Sequence, residues 1–358
     1  MQLCFMLNFL RYAKLALWNR TVTCYSGCVC VVLRILCGSD FLNDGCFMEH
    51  KGRFAPSPSG RMHIGNVYTA LLSWLSIKQR GGSWLLRIED LDRQRCKPEY
   101  TIQLLDDLHW LGLDWDEGPS GDSEPHSPYF QSNRTELYQS TFDQLKSKGL
   151  VYDCYCSRAD VIAARAPHGS DALSVYRGHC RELSENERRV LLQSKRPAQR
   201  IVVPNRKSTF LDGHYGLQHR NLFLDCGDFI IRRADGGFAY QLAVVVDDAS
   251  MHITEVVRGS DLLASTHQQI FLYNELGFDI PRFYHVPLLV AKDGRRLSKR
   301  NKDLDMGALR KQFTPERLVG KIMHRCGFIS EEYPLSLQEA QAVFSWEKLP
   351  CKNICITD

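Results

Sequence analysis

The chain has 358 residues, 44% hydrophobic and 24% charged, a balance that excludes a disordered polypeptide and is enough for two or three packed units. Its 45 basic and 41 acidic residues leave a net charge of +4, so composition alone nominates no nucleic acid partner. The first 47 residues hold six of the fourteen cysteines (Cys4, Cys24, Cys28, Cys30, Cys37 and Cys46) and an apolar stretch, CVCVVLRILC, too short and too interrupted by Arg34 to span a bilayer. We read 1–47 as an untranslated stretch, in preference to a transit peptide or degenerate signal, because MEHKGRFAPSPSG puts Met48 just before the first strand.

The segment GRFAPSP reads as a strand stopped by two prolines, with Ser59-Gly60 as a turn. Val67, Ala70, Leu71, Trp74 and Leu75 then recur at helical spacing up to Gly81-Gly82, and Trp84 to Ile88 reads as a buried strand. In such a unit the helix starts at the carboxyl end of the first strand, where its free N–H groups favour a phosphate. His63 and Asn66 fall in that first turn. Taken alone, a His beside a Gly is more often a surface residue.

Pro98 opens a second helix through Ile102, Leu105, Leu108 and Leu111 to Gly112, and Leu137, Tyr138, Phe142 and Leu145 make a third, closed by Gly149. From Tyr152 to about Arg220 the periodicity is lost. Phe229 to Arg233 and Ile253 to Val257 read as strands, Ser265 with Gln268 as a capping box for a helix through Leu276, and Phe283 to Val290 as a last buried strand before the turn at Asp293-Gly294. A further helix runs from Thr314-Pro315 through Cys326. Basic clusters at Arg188 to Lys207 and Lys292 to Lys302 are either phosphate-facing patches or solvated faces.

Within the irregular stretch, Cys154 and Cys156 form a C-x-C followed by Cys180. That spacing suits zinc thiolates as well as it suits three buried thiols, with His179 or the phenolate of Tyr176 as the fourth ligand. The remaining cysteines are sparse and give no sign of an oxidising compartment.

His63-Ile64-Gly65-Asn66 and, far downstream, Arg296-Leu297-Ser298-Lys299-Arg300 resemble the two signature motifs of class I aminoacyl-tRNA synthetases. RFAPSPSG, RIEDLDRQR (Arg87 to Arg95), GLDWDEGP (Gly112 to Pro119) and YFQS (Tyr129 to Ser132) resemble the glutamyl branch, and the run from Gly227 to Thr266 resembles its short glutamyl-queuosine tRNA(Asp) group. The resemblance spans about 52–330 with the motifs in the family's order.

The resemblance implies an α/β, Rossmann-like nucleotide-binding fold: a first catalytic half over 48–150, a zinc-bearing acceptor-binding insertion over 151–226, a second half with the lysine loop over 227–305, and a short helical segment over 306–358. It implies Cys154, Cys156, Tyr176 and Cys180 as ligands of one structural Zn²⁺, with His179 the rival fourth. For ATP, with its Mg²⁺, it implies His63, Gly65, Asn66, Ser298 and Lys299, of which His63, Asn66 and Lys299 are catalytic. Arg296 stands where lysine is usual, and a planar fork does not replace a point charge geometrically. For L-glutamate it implies Arg53 and Arg258 at the side-chain carboxylate, Glu89 and Tyr240 near the α-amino group, and Ser57 nearby.

Only 58 residues follow Arg300, so no anticodon-binding domain is expected. On this reading a cytoplasmic, monomeric ligase activates glutamate with ATP and transfers it to queuosine in the anticodon stem-loop of tRNA(Asp), with no membrane partner. The alternatives are a truncated glutamyl-tRNA synthetase charging the 3′ end, and a non-enzymatic RNA-binding paralogue. A small-molecule nucleotidylyltransferase would share the histidine motif but would not need RFAPSPSG and RIED.

Overall fold

The computed structural model describes residues 50–121, 127–157, 160, 175–291, 294 and 305–356. The leader 1–47 and the ATP-site candidates Ser298 and Lys299 therefore lie outside the described residues. Strand β1 (Lys51–Phe54), helix α1 (Ile64–Lys78) and strand β2 (Ser83–Leu86) form the unit expected from the sequence, with β1 and β2 parallel. Strand β8 (Glu255–Gly259) pairs with β1 on its other side, and β9 (Arg282–Val286) with β8, giving an all-parallel sheet in the order β2-β1-β8-β9.

All four positions of β1 are buried, as a central parallel strand covered on both faces requires. Gly52 is part of that fit: a Cβ there would lie 2.3 Å from Ile77 of α1, so only glycine lets the helix settle this close. Helix α1 packs Leu71, Leu72, Leu75 and Ile77 into the core at 1% exposure or less, each contributing about 1.5–3 kcal/mol. Helix α2 (Pro98–Leu111) begins at its proline and stops at Gly112, and α3 (Thr135–Ser147) buries Tyr138, Phe142 and Leu145.

Between β1-β2 and β8-β9 the chain builds a second, antiparallel sheet from β3 (Val151–Cys154), β4 (Ala198–Ile201) and β7 (Phe229–Arg232). Helix α4 (Glu185–Ser194) and a hairpin of β5 (Lys207–Asp212) and β6 (Gly216–Asn221) belong to the same stretch, in which β7 is a strand expected from the sequence while the elements from β3 to β6 fall where periodicity is lost.

The segment Tyr240–Ser250, with its Val244-Val245-Val246 run, is a helix (α5) that the sequence analysis does not place, and Tyr240 occupies its first position. Burial on nearly all sides overrides β-branched propensity there. Helix α6 (Thr266–Leu276) exists as expected, but no Ser265–Gln268 capping box does: Ser265 is already helical in backbone and its hydroxyl donates to the Leu262 carbonyl. The strand expected from Phe283 to Val290 is interrupted after Val286; Leu289–Val290 (β10) instead pairs with β11 (Ile354–Cys355). Helices α7 (Met306–Gln312), α8 (Pro315–Arg325) and α9 (Leu337–Val343) precede β11. Phe328, Leu335, Phe344 and Ile354 of this region belong to the same hydrophobic cluster as α1 and β2, so 306–356 closes the catalytic core. Among the described residues no helix is long and apolar enough to cross a membrane.

Candidate active site and metal cluster

The carboxyl ends of β1, β2, β8 and β9 open on one cavity of about 520 Å³. Arg53 comes from β1, Ser57 from the turn after it, Glu89 from beyond β2, Arg258 from β8 and Tyr240 from α5. His63, Gly65 and Asn66 line the same cavity. Every described residue expected for glutamate or ATP is thus in one place, although Arg53 and Arg258 are 205 positions apart.

His63 is the N-cap of α1, its Nδ1 accepting from the Gly65 amide at 3.1 Å while Asn66 Oδ1 accepts from the His63 amide at 3.2 Å. The two motif residues form a reciprocal capping box, so the Gly65 N–H is engaged by the imidazole rather than turned outward to an anion. The positive end of the helix still borders the cavity.

Beneath the cavity lies a buried charge network. Arg53 donates through Nε and Nη2 to the two oxygens of Asp248, both at 3.3 Å. Asp248 also takes Arg87 Nη1 at 2.8 Å, and Arg87 reaches Glu89 at 3.4 Å and Asp247 at 3.5 Å. Asp247 in turn accepts from Arg134, Tyr138 and Gln131 at 2.6, 2.9 and 2.8 Å. The sequence reading missed Arg87, Asp247 and Asp248. The signal was two adjacent aspartates inside the apolar run AVVVDDA, since helices bury carboxylates only where cations meet them.

Burial pushes the Glu89 carboxyl up to about 7, against the pull of Arg87 and Arg53. Asp248, also buried, is nevertheless held below its usual range by Arg53 and Arg87. Arg258 has no carboxylate among its hydrogen-bond partners: its Nε donates to His285, its Nη2 to Thr266, and its buried Nη1 has no partner among the described residues. Burial lowers its affinity for a proton. Such a guanidinium suits an anionic ligand.

About the second cluster the structure is equally specific. Cys154 ends β3, Cys156 follows two residues on, and Cys180 sits in the short helical turn His179–Arg181; the three sulfurs lie within 4.8 Å of one another. The Tyr176 hydroxyl is 3.7 Å from Cys156 Sγ and accepts from the Cys180 amide at 2.9 Å, whereas His179 is exposed. Three thiols and a phenol around one point are a donor set that fits a closed tetrahedral metal site. Arg200, counted in the basic run 188–207, does not face solvent. It donates to Cys154 Sγ at 3.2 Å and lies 4.0 Å above the Tyr176 ring, where its charge would offset that of metal-binding thiolates.

This arrangement yields one expectation directly. Tyr176→Phe should weaken metal retention while His179→Ala leaves it unchanged, as read by competition with a chelating dye. The opposite order would make His179 the ligand.

A parallel sheet whose carboxyl edge opens on a helix N-terminus and buried arginines defines a nucleotide-binding unit of the Rossmann-like class. Residues 50–349 match the family described as tRNA synthetases class I (E and Q), catalytic domain, and the chain belongs to that family. It is 46% identical over 309 residues to a glutamyl-Q tRNA(Asp) synthetase of Symbiobacterium thermophilum, covering 85% of this chain and 95% of the relative. It is also 42% identical over 303 residues to glutamate–tRNA ligase 2 of Syntrophus aciditrophicus, covering 83% of this chain but 61% of that one. Among solved structures, a glutamate tRNA ligase from Elizabethkingia meningosepticum in complex with its amino acid superposes with a TM-score of 0.72 at 27% identity, over 86% of this chain and 67% of that one.

Proposed function

We propose that this protein activates L-glutamate with ATP without help from RNA, and then transfers it to queuosine in the anticodon loop of tRNA(Asp). The observation that carries the first step is the pre-assembly of the cavity: Arg53 is fixed by Asp248, Arg258 by His285 and Thr266, and Glu89 adjoins Arg87, all through partners within the chain. Nothing in that set waits for a docked nucleic acid. The acceptor is supported by the likeness to the Symbiobacterium protein along nearly its whole length.

In this reading the α-carboxylate oxygen of glutamate attacks the α-phosphorus of ATP, pyrophosphate leaves, and a hydroxyl of the queuosine cyclopentenediol then attacks the acyl carbon, releasing AMP. No protein nucleophile is required, and the work is orientation and charge stabilisation. Arg53 and Arg258 hold the side-chain carboxylate, and ionised Glu89 with Tyr240 receives the ammonium group, with Ser57 beside them. His63, Asn66, Ser298 and Lys299 serve the ATP phosphates, which carry Mg²⁺ as their counter-ion, and Gly65, its N–H held by His63, lines the cavity beside them. Cys154, Cys156, Tyr176 and Cys180 hold one Zn²⁺, which as a closed site ties β3 to the turn at Cys180 and takes no part in the chemistry. The protein acts as a cytoplasmic monomer.

Glutamate-dependent ATP–pyrophosphate exchange tests the activation step, and should proceed in the absence of RNA. Its pH dependence tests Glu89. A carboxyl titrating near 7 must be deprotonated to accept from an ammonium, so kcat/KM for glutamate should fall about tenfold per unit as the pH drops below about 7. Glu89→Gln should abolish that limb and lower the plateau. Exchange that appears only with RNA, or a profile flat down to pH 5, would count against this reading.

A further inference from the structure

Asp212 is the last residue of β5, at the tip of the hairpin, and is 1% exposed. Its Oδ1 accepts the His214 and Tyr215 amides at 3.1 and 2.8 Å. Its Oδ2 accepts the His285 amide at 3.2 Å and His285 Nδ1 at 2.6 Å. His285, on β9, is fully buried, and its Nε2 lies 3.1 Å from Arg258 Nε. Gly213 keeps the tip against β9: a Cβ there would lie 2.1 Å from the Tyr284 ring, and its amide donates to the Phe283 carbonyl at 2.8 Å.

An arginine N–H can only donate, so the Nε contact needs a lone pair on His285 Nε2. That lone pair exists only in the neutral tautomer with its hydrogen on Nδ1, and Asp212 is the acceptor that selects it. Burial and the neighbouring Arg258 keep the imidazole from protonating, although Asp212 pulls the other way. Nε is thereby bound by His285 and Nη2 by the Thr266 hydroxyl at 2.7 Å, while the buried Nη1 has no partner among the described residues and Arg258 lines the cavity.

We propose that Asp212 and His285 are positioning residues for glutamate recognition: Asp212 fixes the His285 tautomer, His285 fixes the Arg258 guanidinium, and the hairpin of the inserted stretch is thereby part of the amino-acid site. This rests on the reading of Arg258 as a ligand of the glutamate side chain. It assigns a specificity role to a residue that never touches substrate.

Asp212→Asn is the direct test. The His214 and Tyr215 amides claim the new carbonyl oxygen, so the amide NH₂ faces His285 Nδ1 and drives the hydrogen to Nε2, against Arg258. In exchange assays KM for glutamate should rise about tenfold or more, the loss of a hydrogen bond to a charged group, with KM for ATP unchanged. His285→Leu should do the same, and His285→Gln, whose side-chain oxygen can reach the place of Nε2, should restore KM to within about threefold. If Asp212→Asn does not fold, the two His285 variants decide alone. Folded variants with unaltered glutamate KM, or with glutamate and ATP affected alike, would overturn the relay while Arg258→Ala still raises glutamate KM. If Arg258→Ala itself leaves that KM unchanged, the reading of the pocket falls first, and the relay with it.

Discussion

Replacing Asp248 with alanine is expected to destabilise the protein by about 3–5 kcal/mol, because it strands two buried guanidinium groups without their shared carboxylate. Arg53 is 4% exposed and Arg87 is fully buried, and Asp248 meets the first through both oxygens and the second at 2.8 Å. Asp247 is 3.5 Å from Arg87 and already engaged by Arg134, Tyr138 and Gln131, so it is poorly placed to compensate. The midpoint of urea unfolding reads the effect. A second consequence separates this account from simple loss of packing: the residual folded protein should bind glutamate more weakly, since Arg53 loses its anchor. A variant within about 1 kcal/mol of the parent would mean that water or a rearranged Arg87 satisfies the site.

The other large effect falls on the lysine loop. Lys299→Ala should lower the rate of pyrophosphate exchange by about a hundredfold or more, with KM for glutamate little changed, if, as proposed, the lysine's charge stands where negative charge moves onto the departing pyrophosphate. Lys299→Arg should recover only part of the rate, a planar fork being a poor substitute for a point charge at a single oxygen. Equal loss in glutamate affinity and turnover would assign Lys299 to ground-state binding instead.

What was legible in the sequence had local causes. The β1–α1–β2 unit carries its own punctuation, prolines and Ser59-Gly60 before the helix and Gly81-Gly82 after it, and α2 and α3 show both periodicity and a terminal glycine. The motif residues could be placed in one cavity only through resemblance, because contacts such as Arg53 with Asp248 join positions 195 residues apart. Helix α5 was hidden by its valines, whose strand propensity is outweighed by burial, and the Ser265 cap failed because the preceding turn already claims that hydroxyl. The hairpin β5–β6 was lost for another reason: Leu211 and Leu217 are exposed at 72% and 58%, so its alternation does not follow hydrophobicity. The Asp212–His285–Arg258 chain spans three strands, and neither spacing nor composition marks it.

In the cysteine cluster spacing alone left Tyr176 and His179 open, and the resemblance favoured Tyr176. Packing separates them, since Tyr176 is buried with its hydroxyl at the sulfurs and braced by Arg200, while His179 faces outward. An aromatic residue four positions before a cysteine carries no such information by itself.

The central claim is that activated glutamate goes to a modified base and not to the terminal ribose. It is tested by incubating the protein with ATP, labelled glutamate and tRNA from cells that make queuosine or cannot, each with and without periodate oxidation confined to the terminal ribose. Label is expected only on queuosine-containing RNA, retained after the terminal ribose is destroyed. Equal labelling of queuosine-free RNA, lost on terminal oxidation, would contradict it and make the protein a 3′-charging glutamyl-tRNA synthetase.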